Sequence, residues 1–535
     1  MTALFPKTSI FRIVAAFVLS LSSMPAFAQG ADVALRQAIA AEVSSDPVLT
    51  TFYEGRGYAP FWVGDAPVDE VRLRELMIAL DGAGYHGLPV AAYDPGRLSN
   101  MVRSARTVAD QGRADAILSR AFLDYAQDVQ SGVLNPVRVN DEIKRTAPRR
   151  DPLTTLTAFE SSVPSAFLKA LPPQSANYAR LMADKIRLER LIDAGGWGET
   201  VPGTKMEYGQ SGPQIVALRN RLIAMGYANR SPSASFDDAL RSAVAAFQGD
   251  HGLLQDGVVG PGTLGELNTS AEARLQQVIV AMERERWMNF PLGDRYIWVN
   301  IPDFHVRIID NGRTTFETRS VVGQNQSTHR TPEFSDVMEY IVVNPTWNVP
   351  RSITTREYLP MLQANPNAVS HLQLLDTNGT PVDRTSIDFT SYTARTFPFR
   401  LKEPPSDGNA LGKVKFMFPN ANNIYLHDTP SKSLFAREQR AYSHGCIRLG
   451  DPMDFAHALL ARQSDKPEAL MQAKLNTNRE TVVNLEQSVP VHLVYQTAFT
   501  QAKGPIQFRR DVYGRDQQIF DALARAGVSL RAVGG

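Results

Sequence analysis

The residue best suited to covalent chemistry is Cys446, which is the only cysteine among 535 residues. A thiol acts as a nucleophile or a metal ligand only as the thiolate, so basic neighbours distinguish a reactive cysteine from an inert one. His444 and Arg448 flank it in the run SHGCIRL at 443–449. These neighbours indicate a nucleophile for acyl transfer, and the alternative is a thiol buried as a small hydrophobic group.

A candidate base, His427, lies 19 residues before the cysteine, where the strand-like run IYLH meets the polar turn DTP. A histidine in this position can take the proton of the thiol. Gly445 permits a left-handed backbone and a close approach of substrate. A metal site built from His427, His444 and Cys446 is the alternative, but the ligand spacing typical of zinc sites is missing. The sequence therefore predicts neither a metal nor a cofactor.

An upstream histidine followed by Ser-His-Gly-Cys-x-Arg resembles the active-site motif of the L,D-transpeptidase family, whose catalytic domain is called the YkuD type. Two further runs are similar to the long, periplasmic Gram-negative branch of that family, NPTWNVP at 344–350 and NALGKVKFMFPN at 409–420. The resemblance covers nearly the whole chain and is strongest over 275–500. It implies that the protein is an enzyme of the cell wall.

The resemblance also implies a role for each residue of the motif. His427 takes the proton of Cys446, and the backbone carbonyl of Asp428 fixes the tautomer of the histidine. The N–H groups of Gly445 and Cys446 form an oxyanion hole. Arg448 orients groups around the cysteine or a substrate carboxylate, although a structural salt bridge would explain it as well. The other residues expected to shape the cleft or contact substrate are His444, Ser443, Trp347 and Asn348.

On the same basis, the donor is a peptidoglycan tetrapeptide stem. The thiol attacks the carbonyl of the third residue, D-alanine leaves, and the side-chain amine of a second stem resolves the thioester into a 3–3 crosslink. Water as acceptor would give an L,D-carboxypeptidase, and an amine of a protein would give an anchoring enzyme. Other cell-wall synthesis enzymes are possible partners, and carbapenems should acylate the thiol. A non-catalytic wall-binding scaffold and a general cysteine peptidase remain the alternatives from other classes.

The N-terminus predicts export to the periplasm. Lys7 and Arg12 precede or flank an apolar stretch at 13–21, and Ala-Phe-Ala at 26–28 supplies the small residues of a cleavage site. We predict a signal peptide at 1–28 and no transmembrane segment in the mature chain, because the stretch is shorter than the ~20 apolar residues of a membrane span. The net charge of +1 gives no support for nucleic-acid binding.

The elements that must position the site predict a multidomain α+β protein. Residues 29–200 are interpreted as a helical scaffold domain whose aromatic cluster, at 52–62, belongs to a core. Residues 205–270 resemble the three-helix peptidoglycan-binding domain, because two apolar helical stripes precede an Asp-Gly-Val-Val-Gly turn. Residues 501–535 are expected to be a C-terminal tail.

Residues 275–500 are expected to form a mainly β catalytic domain of the YkuD type. Its β-branched and aromatic runs predict strands at 296–301, 305–309, 318–322, 341–343 and 415–418. A long polar segment at 351–408, rich in Pro, Thr and Asn, interrupts them and contains a predicted helix at 355–362. Long loops of this kind are often lids, and the resemblance implies a capping insertion over the cleft.

Overall fold

The computed structural model describes residues 26–530, with side chains from residue 32 onward. The predicted signal peptide at 1–28 lies outside the described residues, except for its last three positions. Within the described part of the chain, no helix combines the length and the apolar character needed to cross a bilayer. Backbone contacts define two compact units, the first made of residues 26–77, 95–123 and 151–164 and the second of residues 78–94, 124–150 and 165–530.

Before residue 200 the described chain is helical, as the sequence predicts. Several helices begin with a proline in the first turn, and the side chains of Asp46, Asp151 and Ser175 accept hydrogen bonds from first-turn N–H groups. The helices are α1 (Ala26–Val43), α2 (Pro47–Gly55), α3 (Pro67–Asp81), α4 (Val90–Tyr93), α5 (Pro95–Ser104), α6 (Val108–Ser131), α7 (Pro136–Val139), α8 (Pro152–Glu160), α9 (Pro164–Ala170) and α10 (Ala176–Asp193).

The first unit is built around a buried carboxylate and an aromatic core. Asp115 is fully buried, accepts hydrogen bonds from the N–H groups of Phe61 at 3.0 Å and Trp62 at 2.9 Å, and also accepts from the Tyr53 hydroxyl. The indole of Trp62 donates to Ser119 at 2.8 Å. The buried residues of the aromatic cluster predicted at 52–62 therefore belong to the core.

Three short helices with their own core follow in the second unit, as the sequence predicts. They are α11 (Pro213–Ala224), α12 (Asp238–Asp250) and α13 (Pro261–Asn268). The apolar stripes of the first two supply Leu218, Leu222, Val244 and Phe247 to this core, all fully buried.

Fourteen strands occur among the described residues. They are β1 (Arg295–Asn300), β2 (His305–Asp310), β3 (Arg313–Gly323), β4 (Phe334–Val343), β5 (Trp347–Asn348), β6 (Gln373–Leu375), β7 (Arg400–Glu403), β8 (Val414–Met417), β9 (Leu426–His427), β10 (Ala441–Ser443), β11 (Ile447–Leu449), β12 (Thr481–Val494), β13 (Ala498–Phe499) and β14 (Gln507–Phe508).

The large sheet has the strand order β10-β3-β11-β9-β8-β4-β12-β1-β2, and β2 also pairs with β3. Eight strands therefore form a closed ring of pairings, and β10 extends it beyond β3. One link of the ring is the parallel pairing of β1 with β12, in which Ile297 lies opposite Val491. The predicted strands all lie in this sheet.

Three further helices occur in this part of the chain. They are α14 (Ala271–Trp287), α17 (Pro452–Leu460) and α18 (Pro467–Leu475). The last two add Phe455, Leu459 and Met471 to the sheet's core. The side chain of Ser270 accepts from the N–H of Ala273 and so caps the start of α14.

The polar segment at 351–408, here called the capping segment, has a small core of its own. β5, β7 and β6 form a three-stranded sheet, and Leu359, Leu362, Phe397 and Leu401 are buried together. The predicted helix at 355–362 begins earlier, as α15 (Arg351–Ile353), passes through a π-helical turn (Thr354–Tyr358) and ends as α16 (Leu359–Ala364). Pro360 has no N–H to donate to the carbonyl four residues earlier, which explains why regular α-helix does not run through this point.

The segment expected to be a C-terminal tail, 501–535, contains β14 and the helix α19 (Arg515–Arg525) in its described part. Arg515 is fully buried and forms ion pairs with Glu333 at 3.1 Å and Glu142 at 2.9 Å. Ile519 is also fully buried. These buried side chains explain why the segment is ordered, and composition alone did not predict it.

Candidate active site

Of the two residues expected to carry the chemistry, His427 lies on β9, and Cys446 immediately precedes the neighbouring strand β11. β9 and β11 pair in parallel, with Leu426 opposite Ile447 and His427 opposite Arg448. Leu426 and Ile447 belong to the sheet's core, so the alternation of a strand directs His427 and Arg448 to the other face. Cys446 immediately precedes β11, and its thiol is near enough to Arg448 and Lys415 for their charges to act on it.

A row of three basic side chains crosses this face. Lys415 on β8 lies opposite His427, which lies opposite Arg448, and neighbouring strands are about 4.8 Å apart. Burial lowers the pKa of Lys415 and of Arg448, and a negative charge on Cys446 opposes that lowering. The buried Nε of Arg448 has no hydrogen-bond partner among the described residues. The row can therefore receive negative charge from the thiolate or from a substrate.

Cys446 is half-buried, and its thiol donates to the carbonyl oxygen of Asn423 at an Sγ–O distance of 3.5 Å. Burial raises the pKa of the thiol to about 11, against the opposing effects of hydrogen bonds from Tyr425 and the charges of Arg448 and Lys415. At neutral pH the resting thiol is therefore protonated.

The imidazole of His427 is almost fully buried and is oriented by its neighbour. Its Nδ1 lies 2.5 Å from the carbonyl oxygen of Asp428, which leaves Nε2 to accept a proton. Burial, followed by the charge of Arg448, lowers the pKa of His427 to about 3. The resting site thus holds a neutral thiol beside a neutral imidazole.

The turn after His427 depends on the side chain of Asp428. Its carboxylate accepts hydrogen bonds from the N–H groups of Lys413 at 2.8 Å and Thr429 at 2.7 Å. Gly412 has a positive φ of 61°, and a Cβ there would clash with this carboxylate. The glycine of the NALGKVKF run is therefore required for the position of the base.

The backbone of residues 443–446, which carries the thiol, is fixed by the hydroxyl groups of Ser443 and Thr331. Ser443 Oγ accepts from the N–H of Gly445 at 3.1 Å and donates to the carbonyl of Cys446 at 2.5 Å. Thr331 Oγ1 donates to the carbonyl of Gly445 at 2.7 Å and accepts from the N–H of Gly323 at 2.9 Å. Gly445 has a φ of 115°, which only glycine adopts readily. The N–H expected to serve an oxyanion is thus bonded to Ser443 at rest.

His444 does not lie in the row with Lys415. Its Nε2 lies 2.7 Å from Glu357 Oε1 in the capping segment, and its ring meets that of His329 edge to face, with ring centres 4.4 Å apart. His329 belongs to the loop between β3 and β4. The structure therefore places His444 in a second group of polar side chains.

Trp347 and Asn348, expected to line the cleft, form β5 and pair with Glu403 and Lys402 of β7. The indole packs against the core of the capping segment and meets the ring of Tyr358 edge to face, with the ring centres 6.4 Å apart. Trp347, which precedes the capping segment, therefore has a packing role against the core of that segment.

Lys415, Tyr425 and Thr331 were not predicted from the sequence as residues of the site. One signal was present for Lys415, because lysine alternates with apolar residues in KVKF and such a strand has one polar face. The pairing of Lys415 with His427 could not be predicted from the sequence, because an irregular turn separates β8 from β9. Nothing in the local sequence indicates the role of Thr331.

Residues 294–474 match the family model of the L,D-transpeptidase catalytic domain, YkuD. Residues 47–184 match that of a scaffold domain, and residues 211–267 match that described as "Putative peptidoglycan binding domain". The chain therefore contains an L,D-transpeptidase catalytic domain of the YkuD type, preceded by a scaffold domain and a peptidoglycan-binding-type domain.

A protein of Haemophilus influenzae described as "Putative L,D-transpeptidase" is 35% identical over 253 residues, which are 47% of this chain and 50% of that protein. The match thus spans about half the length of this curated relative. Two crystal structures of L,D-transpeptidases are more distantly similar. That from Xylanimonas cellulosilytica is 15% identical, covers 55% of this chain and 100% of its own, and has a TM-score of 0.17. That from Stackebrandtia nassauensis is 12% identical, covers 56% and 97%, and has a TM-score of 0.21.

Proposed function

We propose that this protein is a cysteine-dependent L,D-transpeptidase that forms 3–3 crosslinks in peptidoglycan. One observation carries the proposal: His427 lies between the cations Lys415 and Arg448 on paired strands, and Cys446 immediately precedes β11, the strand that carries Arg448. This arrangement occurs within the part of the chain that matches the L,D-transpeptidase catalytic domain. A thiol, an oriented base and flanking cations are the parts that acyl transfer requires.

The first half of the reaction forms a thioester. The thiol of Cys446 attacks the carbonyl of the third residue of a tetrapeptide stem while His427 Nε2 takes its proton. The carbon–sulfur bond forms, and the carbonyl electrons move onto the oxygen. When the tetrahedral intermediate collapses, the carbon–nitrogen bond breaks and His427 returns the proton to the departing amine of D-alanine.

The second half transfers the acyl group to an amine. The side-chain amine of a second stem attacks the thioester, loses a proton to His427, and expels the thiolate, which is then reprotonated. The product contains one new amide bond between two third residues. With water in place of the amine, the same residues would release a tripeptide.

Developing negative charge on the oxygen needs donors. The N–H of Cys446 is one candidate, and the N–H of Gly445 becomes available if the Ser443 hydroxyl, now bonded to it at 3.1 Å, rotates away. Each such donor is worth about 3 kcal/mol in the transition state. Arg448 and Lys415 suit the carboxylates of stem peptides, and the unpartnered Nε of Arg448 supports this role.

The place of action follows from the substrate. Peptidoglycan lies outside the cytoplasm, and the signal peptide expected at 1–28 would deliver the protein to the periplasm. The domain at 211–267 supports recruitment to the wall. The same thiol is the expected target of carbapenems.

The proposal is tested with purified protein lacking residues 1–28, and with its Cys446→Ala variant, incubated with disaccharide-tetrapeptide. We expect a dimer that has lost one D-alanine, detected by mass spectrometry and absent with Cys446→Ala. Tripeptide alone would identify an L,D-carboxypeptidase. If neither product forms and a carbapenem fails to acylate Cys446, the proposal is wrong.

A further inference from the structure

The second group of polar side chains near the thiol consists of His329, Glu357 and His444. One ligand atom from each lies within 4.8 Å of the other two. The three residues come from separate segments: the β3–β4 loop, the π-helical turn of the capping segment, and the loop between β10 and β11. We propose that this histidine–glutamate cluster is a binding site for a zinc ion that joins the capping segment to the residues preceding the nucleophile.

The chemistry of the cluster suits zinc. Two imidazoles and one carboxylate form a ligand set used by zinc, with water at the fourth position. Bonds of about 2.0 to 2.2 Å around a tetrahedral ion place the ligand atoms about 3.4 Å apart. His444 Nε2 and Glu357 Oε1 are 2.7 Å apart, and the widest separation is at most 4.8 Å. Rotations of partly exposed side chains are enough to reach that geometry.

A second observation points to metal binding by His329. Its Nδ1 lies 3.0 Å from Oε1 of Gln326. Histidine ligands of metals usually donate their other ring N–H to an oxygen acceptor, which fixes the ring and its tautomer. With Nδ1 donating to Gln326, Nε2 carries the lone pair and is available to the ion.

The site has a consequence for the proposed reaction. Without metal, His444 is joined to the capping segment by its hydrogen bond with Glu357. An exposed pair of this kind contributes little to stability. A zinc ion would replace it with coordinate bonds from three segments. Zinc should therefore hold the capping segment against the residues that precede Cys446; any effect on turnover rests on the proposed function, whereas zinc binding itself does not.

Binding is measured on tag-free protein by titration calorimetry with zinc chloride, in a Cys446→Ser background so that the thiol cannot be a ligand. We expect one ion per chain. His329→Ala and Glu357→Gln should weaken binding by at least ~10-fold, and Gln326→Ala by ~10-fold or more through the lost orientation of the ring. His371→Ala, a change at an exposed histidine of the capping segment, should leave the affinity unchanged.

Cobalt supplies a spectroscopic check on the protein with its cysteine intact. Bound Co²⁺ should give visible d–d bands that disappear with His329→Ala, and no sulfur-to-metal charge-transfer band. Absence of zinc binding, equal affinity in His329→Ala, or a charge-transfer band from Cys446 would each overturn the site. None of these readouts needs a substrate, so they are independent of whether transpeptidase activity is found.

Discussion

A half-buried thiol beside two cations is subject to opposing influences. Burial favours the neutral form of Cys446, and Lys415 and Arg448 favour the thiolate. Because the thiol's pKa is about 11, the thiolate fraction should rise about tenfold per pH unit through the range from 7 to 10. The two cations keep the pKa from rising further.

Lys415→Met should therefore slow the alkylation of Cys446 by iodoacetamide, by ~10-fold for each unit that the thiol pKa rises. The rate is measured as a function of pH. Lys413→Met is the matched control, because that ammonium is partly exposed and pairs with Asp407. Equal rates in the wild type and Lys415→Met would show that Lys415 does not act on the thiol.

The site could be predicted only in part from residues. Cys446, His444 and Arg448 lie in one short run, and His427 lies close upstream, so their types and spacing were visible. Lys415 and Thr331 were not, because their places depend on strand register and on a loop from another part of the chain. Glu357 reaches His444 across 87 positions of sequence, which no local pattern records.

At the scale of elements, Thr331 connects β3, the loop before β11 and α19. Its buried hydroxyl joins the end of β3 to the carbonyl of Gly445, and its own carbonyl accepts from Arg515 of α19 at 2.9 Å. The helix α19, in the segment expected to be a tail, therefore supports the residues before Cys446 through Thr331. Strand positions were predictable from β-branched content, whereas this support was not.

Thr331→Val should lower the free energy of unfolding by about 1 to 3 kcal/mol, because it leaves the N–H of Gly323 and the carbonyl of Gly445 without their partner. Turnover should fall while KM changes little, since substrate contacts remain. Thr331→Ser keeps the hydroxyl and should restore most of the turnover. Denaturant unfolding and steady-state kinetics are the measurements, and equal behaviour of the two variants would contradict this role.

For the whole molecule, buried histidines contribute to the loss of stability in acid. Burial lowers the pKa of His427 to about 3 and of His492 to about 4, and that of His251 well below its usual value. Such groups bind protons in the unfolded chain near pH 6.5 but not in the folded one. Their stabilising effect is thus complete above pH 6.5 and is lost as the pH falls towards these lower values.

As the pH falls from 6.5 to 4, the free energy of unfolding should decrease less steeply in His492→Gln than in the wild type, by about 1.4 kcal/mol per pH unit. The free energy of unfolding is measured across this range, on the transition that includes the large sheet. His371→Gln, at an exposed position, should leave the slope as in the wild type. An unchanged slope in His492→Gln would show that His492 is charged in the folded protein.

The closed ring of strand pairings also sets the order in which the molecule matures. β1 needs β12 as its neighbour, and β12 is among the last strands that a ribosome adds. Pairings between such distant segments form slowly, so the ring cannot close until synthesis is nearly finished. A nascent chain that ends before residue 481 already contains Cys446 and His427, yet lacks the strand that completes the sheet around them. The candidate active site therefore cannot be complete before β12 has been made.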